Sequence, residues 1–419
     1  MKHILAPVAA LLISVSILLA GQGLQGTLLP VRASLEEFAT LAIGIMGAAY
    51  FLGFTLGCLR GGELVQRVGH VRVFLAMTAL ASSAPLLHGL VLNPVAWSLL
   101  RALSGFCFAV LYIVIESWLN ECSTNENRGT VFSVYVMITL TVLAAGQMMT
   151  LLYDPAGLEL FLIASVLVSL GAIPVALSRS QSPKQPTAVE LDMRRVLRIS
   201  PAGSIGCLAV GLANGAFWSL APVFTAGIST NTSLAAWFMS SAVLGGALSQ
   251  WPLGFASDKF GRRKVILGAA LLGVGIATSV LLSGNALEFW AVNLVGAAWG
   301  AVAFPLYAIS VAHANDYAEP EDYVMVSSGL LLMYGMGAIA GPFIASLFMS
   351  YIGAVGLFGF SAIVHGALAL FVVHRMMQRA SMPDEQHMAY GDALATAHTA
   401  SFVYEEEFQH NVEADSSHD

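Results

Sequence analysis

Gly254-Phe255-Ala256-Ser257-Asp258-Lys259-Phe260-Gly261-Arg262-Arg263-Lys264 follows a long apolar run. A related stretch, Gly62-Glu63-Leu64-Val65-Gln66-Arg67-Val68-Gly69-His70-Val71-Arg72, stands 192 residues earlier behind another apolar run. The offset carries Arg67 onto Lys259, Gly69 onto Gly261 and Arg72 onto Lys264. Elsewhere it carries Pro30 onto Pro222 and Gln22 onto Asn214. A basic turn that recurs together with its surroundings signals a duplicated structural unit.

The runs between these turns set the class of protein. Of the 419 residues 57% are hydrophobic and only 10% charged, with a mean hydropathy of +0.77, too little polar surface for a soluble globule of this length. A membrane span needs about 20 mainly apolar residues. Twelve such segments are read at 5–29, 40–60, 73–92, 94–118, 130–152, 158–178, 203–226, 233–255, 265–283, 286–309, 324–350 and 354–374. Runs this long satisfy their backbone hydrogen bonds internally as helices, whereas barrel strands would alternate. The expected fold is all-α and integral to the membrane. The opening Lys2-His3 before an apolar run has the form of a secretory signal, but the run outlasts the usual core of about 7–15 residues.

Lys and Arg favour cytoplasmic loops. With the N-terminus inside, 16 of the 18 fall on the cytoplasmic side, leaving Arg32 in an external loop and Arg101 within a helix, and both termini lie inside. Cys58, Cys107, Cys122 and Cys207 sit in or beside apolar helices without metal or disulfide spacing and read as packing residues. The net charge of −7 belongs to the tail: residues 376–419 hold one Arg against nine acids. This acidic stretch has too little apolar content to fold alone. The longest polar interruption, residues 179–202, divides an N-terminal half (1–178) from a C-terminal half (203–375). Its 189–199 stretch reads either as an amphipathic surface helix with Arg194, Arg195 and Arg198 on anionic headgroups or as a plain cytoplasmic linker.

Twelve spans, a central basic linker and the paired G-x-x-x-[D/Q]-[R/K]-x-G loops together resemble the major facilitator superfamily over residues 4–375. Arg101-Ala102-Leu103-Ser104-Gly105, Glu116-Ser117, Asn127-Arg128-Gly129, Gln250-Trp251-Pro252 and Leu306-Tyr307 are similar to the YcaD-like branch of bacterial carriers. The resemblance implies two pseudo-symmetric six-helix halves, alternation between inward-open and outward-open states, and a substrate bound between the halves near the bilayer midplane. It also implies that the paired loops latch the inner gate.

The gate candidates are Arg67, Arg72, Glu116, Arg128, Asp258, Lys259, Arg262 and Arg263. Glycine permits a tight turn between helices, and the basic residues can bridge carboxylates and helix ends of the opposite half. Asp258 suits a helix N-terminus, that of span five near Thr130, while Gln66 supplies no charge. Glu116 is expected to pair with Arg67 or Arg72; its competing reading is a protonatable coupling carboxylate, which requires burial. The basic residues alternatively serve only to orient the chain in the membrane.

Arg101 lies roughly 10 Å inside the external end of span four at 1.5 Å per residue. An Arg at a helix centre costs about 2.5–3.5 kcal/mol on insertion scales, so it calls for a partner; the corresponding Arg in the superfamily faces the interior and is linked to substrate binding or proton coupling in some members. The alternative is an Arg that bonds neighbouring carbonyls or snorkels outward. Gln22, Gln25 and Asn214 are the leading substrate contacts, and Trp218, Asn293, Tyr307, Trp299, Gln147 and Tyr334 are weaker candidates. Each reads equally as interhelical glue or packing. Gly337 and Gly341, followed by Pro342, predict a close helix approach, and His365 reads as a hydrogen-bonded core residue.

No nucleophile with a base partner, Walker loop or metal-spaced cluster is present in the sequence, so an enzyme is not expected. The expectation is a secondary carrier of a small neutral polar or anionic solute in the inner membrane. It is expected to be monomeric, without nucleic acid or cofactor, and with a proton as the coupling ion considered. A multidrug exporter is the alternative within transport, and a transporter-like sensor or scaffold the alternative outside it.

Overall fold

The computed structural model describes residues 9–123, 128–177, 192–283, 287–319 and 322–378, without the side chains of 128–130. Lys2-His3, residues 178–191 of the linker, Asn127 and the acidic tail from residue 379 lie outside the described residues.

Within them the chain is all-helical. The N-terminal half contains α1 (Ala9–Leu35), α2 (Thr40–Val68), α3 (His70–Leu90), α4 (Pro94–Glu121), α5 (Arg128–Met148) and α6 (Glu159–Leu170, continued by Ile173–Leu177). The C-terminal half contains α7 (Pro201–Ile228), α8 (Ser233–Phe260), α9 (Arg262–Ser283), α10 (Phe289–Ala303, continued by Pro305–Asn315), α11 (Tyr323–Ile352) and α12 (Gly356–Gln378). Among the described residues eleven passes are long and apolar enough to cross a membrane. The remaining one, α8, has 28 residues and is more polar because it carries Ser240, Ser241, Ser249, Gln250, Asp258 and Lys259.

Local sequence explains several helix starts. Asn93 accepts from Val95 N–H at 2.9 Å and Ala96 N–H at 3.1 Å, with Pro94 as the first helical residue of α4. Ser200 accepts from Gly203 N–H at 3.1 Å ahead of Pro201 in α7. The paired basic motifs are mostly helix: α2 runs to Val68 and α8 to Phe260, and the turns narrow to Gly69 and Gly261. These have φ of 93° and 90°, left-handed backbone that a β-carbon disfavours. Arg32 corrects a boundary, because it lies inside α1 rather than in a loop. Its charge is met by Glu36 at 2.7 Å and its Nη1 donates to the Pro155 carbonyl at 3.2 Å, so the helix continues past Pro30 to Leu35.

The bundle has two ends. One bears the Gly69 and Gly261 turns and the linker, here termed the linker end; the other bears the α1–α2, α7–α8 and α11–α12 turns. At the opposite end one apolar cluster joins the halves, combining Leu24, Leu28, Ile43 and Met46 with Phe217, Leu220, Phe224 and Met349. Gly44 lies against Ser346 and Gly47 against Ser219, so closely that a β-carbon at either would collide. Ser240 of α8 donates to the Ala144 carbonyl of α5 at 3.1 Å. Towards the linker end the apolar residues of the N-terminal half, such as Val65, Val114, Trp118 and Val131, form a separate cluster. Among the described residues the halves share one apolar cluster at the end opposite the linker and form separate apolar clusters towards the linker end.

The linker helix Met193–Ile199 docks on the C-terminal half. Its buried Val196 enters a cluster with Cys207, Val311, Met325 and Leu330, and Arg195 Nη2 donates to Asp322 Oδ2 at 2.6 Å. Arg194 and Arg198 are exposed. The expected close approach at Gly337 and Gly341 is present, with α11 backbone against Leu208 and Leu212 of α7.

Candidate functional site

Between the halves lies a cavity of about 420 Å³, within the range of about 300–1,000 Å³ that accepts drug-sized ligands. From α1 come Gln22 and Gln25, from α2 Tyr50, Phe54, Thr55 and Cys58, and from α4 Arg101, Phe108, Tyr112 and Glu116. Helix α5 adds Tyr135, Thr139 and Gln147, while α7 and α11 contribute Trp218, Ser219 and Tyr334.

A hydrogen-bonded group organises the N-terminal wall. Gln22 Nε2 donates to the Tyr50 hydroxyl at 2.9 Å, and the Tyr112 hydroxyl donates to Gln22 Oε1 at 2.9 Å. The Gln22 amide is thus fixed at both ends. The Arg101 guanidinium lies 4.1 Å from the Tyr50 ring centroid, a cation–π contact worth about 0.5–2 kcal/mol depending on desolvation. Among the described residues no carboxylate oxygen lies within 4 Å of it. Gln25 turns back on its own helix, donating to the Gly21 carbonyl at 3.2 Å.

Glu116 is 3% exposed in the same wall, and Tyr135 donates to its Oε1 at 3.4 Å. Arg67 and Arg72 are exposed, and neither forms the ion pair with Glu116 that the sequence predicts. The physical reason is direction: Glu116 faces the cavity between the halves, whereas both arginines project to the surface around the Gly69 turn.

Among the described contacts the second basic motif bonds to residues of its own half. Arg262 is buried, with its Nη1 paired to Asp258 and donating to Ser257 Oγ at 2.7 Å, and its Nε donating to Asp316 Oδ2 at 3.2 Å. Arg263 donates to the Tyr317 hydroxyl at 2.7 Å, and Lys259 is exposed. The expected site for Asp258 near Thr130, and the Arg128 side chain, lie outside the described side chains. In the first repeat the Arg262 position is His70, whose Nε2 lies 3.1 Å from Ser117 Oγ. The two repeats therefore hold their turns with different chemistry.

Not every polar candidate reaches the cavity. Asn293 does not line it, because its Nδ2 donates to the Phe289 carbonyl of its own helix at 2.7 Å. Trp299 is core, stacked on Phe217 with centroids 3.9 Å apart and bonded to Ser361. Trp218 lines the cavity while stacking on Phe304 at 5.1 Å. Gln147 sits at the seal, accepting from Ser240 at 3.4 Å. Asn214 and Tyr307 lie behind Tyr334 rather than in the cavity wall. His365 is a buried core residue with Nδ1 2.9 Å from the Ser361 carbonyl. Sequence reasoning missed Tyr50, Tyr112 and Tyr135; the signal available was three tyrosines on polar-lined helices, each hydroxyl needing a partner.

The sequence model for the Major Facilitator Superfamily matches residues 11–227 and again 203–387. The chain belongs to the major facilitator superfamily. The first match runs from α1 through α7 and the second from α7 through α12. It is similar to the uncharacterized MFS-type transporter YcaD of Escherichia coli O17:K52:H18, with 28% identity over 350 residues, 82% of this chain and 89% of that protein. YcaD of Shigella flexneri matches to the same extent, 28% over 350 residues. Among solved structures, the nucleoside transporter NupG superposes with a TM-score of 0.75 at 14% identity, over 90% of this chain and 100% of that one. A bacterial homolog of the human lysosomal transporter Spinster, in an inward-facing and occupied conformation, gives a TM-score of 0.68 at 14% identity, over 96% and 99%. At such identities these structures establish the shared fold. This superfamily member is a multi-pass membrane protein, and its family assigns it to secondary transport of a small solute.

Proposed function

We propose that this protein is an inner-membrane carrier that moves a small organic anion by alternating access, with the linker end cytoplasmic and a proton exchanged at Glu116 as the coupling ion. Arg101 carries the reading. A guanidinium in mid-bundle is costly to place, its described partner is the neutral Tyr50 ring, and it borders the cavity. An entering carboxylate supplies the countercharge and a bidentate hydrogen-bonding match. A neutral sugar-like solute does not.

A shared apolar cluster at one end and separate clusters towards the other support a state closed at the end opposite the linker, one of the two that alternating access requires. The concentration of Lys and Arg at the linker end supports its cytoplasmic placement. The aromatic lining from Phe51, Phe54, Phe108 and Trp218 favours the multidrug-exporter alternative more than any other feature, and the same experiment addresses it. Thermal-shift screening of the purified protein against organic anions, sugars, amino acids and cationic drugs reads out binding, since a ligand stabilises the state it binds. Organic anions are expected to stabilise the wild type and not Arg101→Gln. Stabilisation by lipophilic cations alone would replace this reading with the exporter. A sensor acting through the acidic tail is excluded if deletion of residues 379–419 leaves transport in liposomes intact.

A further inference from the structure

Each half carries an amide flanked by tyrosines, and the two clusters differ in the hydrogen bonds they leave open. In the N-terminal half both ends of the Gln22 amide are used, by Tyr50 and by Tyr112. The repeat offset places Asn214 of α7 at the Gln22 position. Asn214 is 4% exposed and its amide lies against the Tyr334 hydroxyl. The Tyr334 ring in turn packs on Tyr307 of α10, with centroids 5.0 Å apart and planes at 61°. Here two buried atoms, Asn214 Oδ1 and the Tyr307 hydroxyl oxygen, have no protein hydrogen-bond partner. Buried polar groups are seldom left so. They lie on two helices behind Tyr334, which itself faces the cavity.

We propose that Asn214 and Tyr307 form a second half-site, covered by Tyr334, for a hydroxyl group at the far end of the anion whose carboxylate Arg101 holds; this rests on the organic-anion reading above. The chemistry of the two atoms selects the group. Asn214 Oδ1 only accepts, so the ligand must donate to it; the Tyr307 hydroxyl both donates and accepts. A single hydroxyl that donates to Asn214 and accepts from Tyr307 satisfies both, whereas an ammonium, with no lone pair, leaves the Tyr307 proton unused. Between head and hydroxyl, Phe54, Phe108 and Trp218 border the cavity and suit an aromatic ring. The substrate class is thus a hydroxylated aromatic acid.

Binding to the purified full-length protein tests this with two matched pairs of different length: benzoate with 4-hydroxybenzoate, and 3-phenylpropanoate with 3-(4-hydroxyphenyl)propanoate. In the wild type the hydroxylated member of at least one pair is expected to bind about three- to tenfold more tightly, the range of one net hydrogen bond. Tyr307→Phe and Asn214→Leu are expected to remove that preference, and a retained cooperative thermal transition shows that the variants fold. Equal affinities within both pairs, or a preference that survives both substitutions, would overturn the half-site and leave the organic-anion reading standing. Failure of all four acids to bind would overturn the aromatic-acid assignment, and binding of a non-aromatic organic anion in the screen above would leave the organic-anion reading standing.

Discussion

Arg101 lies over the ring of Tyr50, its guanidinium carbon 4.1 Å from the centroid, while the hydroxyl of the same tyrosine accepts from Gln22 at 2.9 Å. The tyrosine is held from α1 and in turn positions the cation of α4. Tyr50→Phe keeps the cation–π face and loses one neutral hydrogen bond, worth about 0.5–1.5 kcal/mol. Tyr50→Leu loses the aromatic face as well, a further 0.5–2 kcal/mol or so. Organic-anion affinity measured by calorimetry should therefore fall modestly in the first variant and further in the second. Equal affinity in Tyr50→Leu and wild type would show that the ring does not position Arg101.

Arg262 and Asp316 make a second pair, in the C-terminal half, with side chains each 1% exposed. Arg262 is also paired with Asp258, so Arg262→Met takes a cation from two carboxylates at once, whereas Asp316→Leu leaves Arg262 with Asp258. Breaking a buried pair typically costs about 3–5 kcal/mol, while replacing both partners by apolar residues is often near neutral. Arg262→Met should therefore lower thermal stability strongly and Asp316→Leu less. The double variant should be more stable than Arg262→Met alone, because the buried Asp316 charge is gone. Additive losses would mean that the two residues act independently.

The seal opposite the linker end depends on Gly47, where a β-carbon collides with Ser219 of α7. Cys58 borders the cavity and reports which end is open. In wild-type protein with Cys122→Ser, a membrane-impermeant thiol reagent should reach Cys58 from the linker end. In Gly47→Val the seal cannot close, and labelling should shift to the opposite side. An unchanged side of labelling in that variant would count against Gly47 as part of the seal.

Glu116 carries the coupling proposal. Glu116→Gln should retain exchange of substrate at equal concentrations across a liposome membrane while losing the stimulation of net uptake by a proton gradient. Tyr135→Phe, which removes the 3.4 Å donor to Glu116 and keeps the carboxylate, should keep the stimulation. Gradient-stimulated uptake that persists in Glu116→Gln would remove the carboxylate from coupling.

The helices, their duplication and the glycine turns were legible because apolar length and a repeated Gly-basic pattern are one-dimensional signals. The direction a side chain takes is not such a signal in helices that are apolar on most faces. Arg101, Gln22, Gln25 and Trp218 border the cavity, whereas Asn293, a weaker candidate by sequence, bonds its own helix. Closeness to the basic turn along the chain suggests a gate salt bridge for Glu116 of α4, but its side chain faces the cavity. The tyrosines at 50, 112 and 135 escaped notice because an aromatic residue in an apolar run reads as packing until its hydroxyl is seen to meet Gln22 or Glu116.

Uptake of a radiolabelled aromatic carboxylate into proteoliposomes tests the central claim most directly, with wild type, Arg101→Lys and Arg101→Gln reconstituted at equal density. Saturable uptake by the wild type, reduced uptake by Arg101→Lys, which keeps the charge without the planar fork, and at least tenfold loss in Arg101→Gln are expected. Carboxylate uptake in Arg101→Gln equal to that of the wild type would contradict the account.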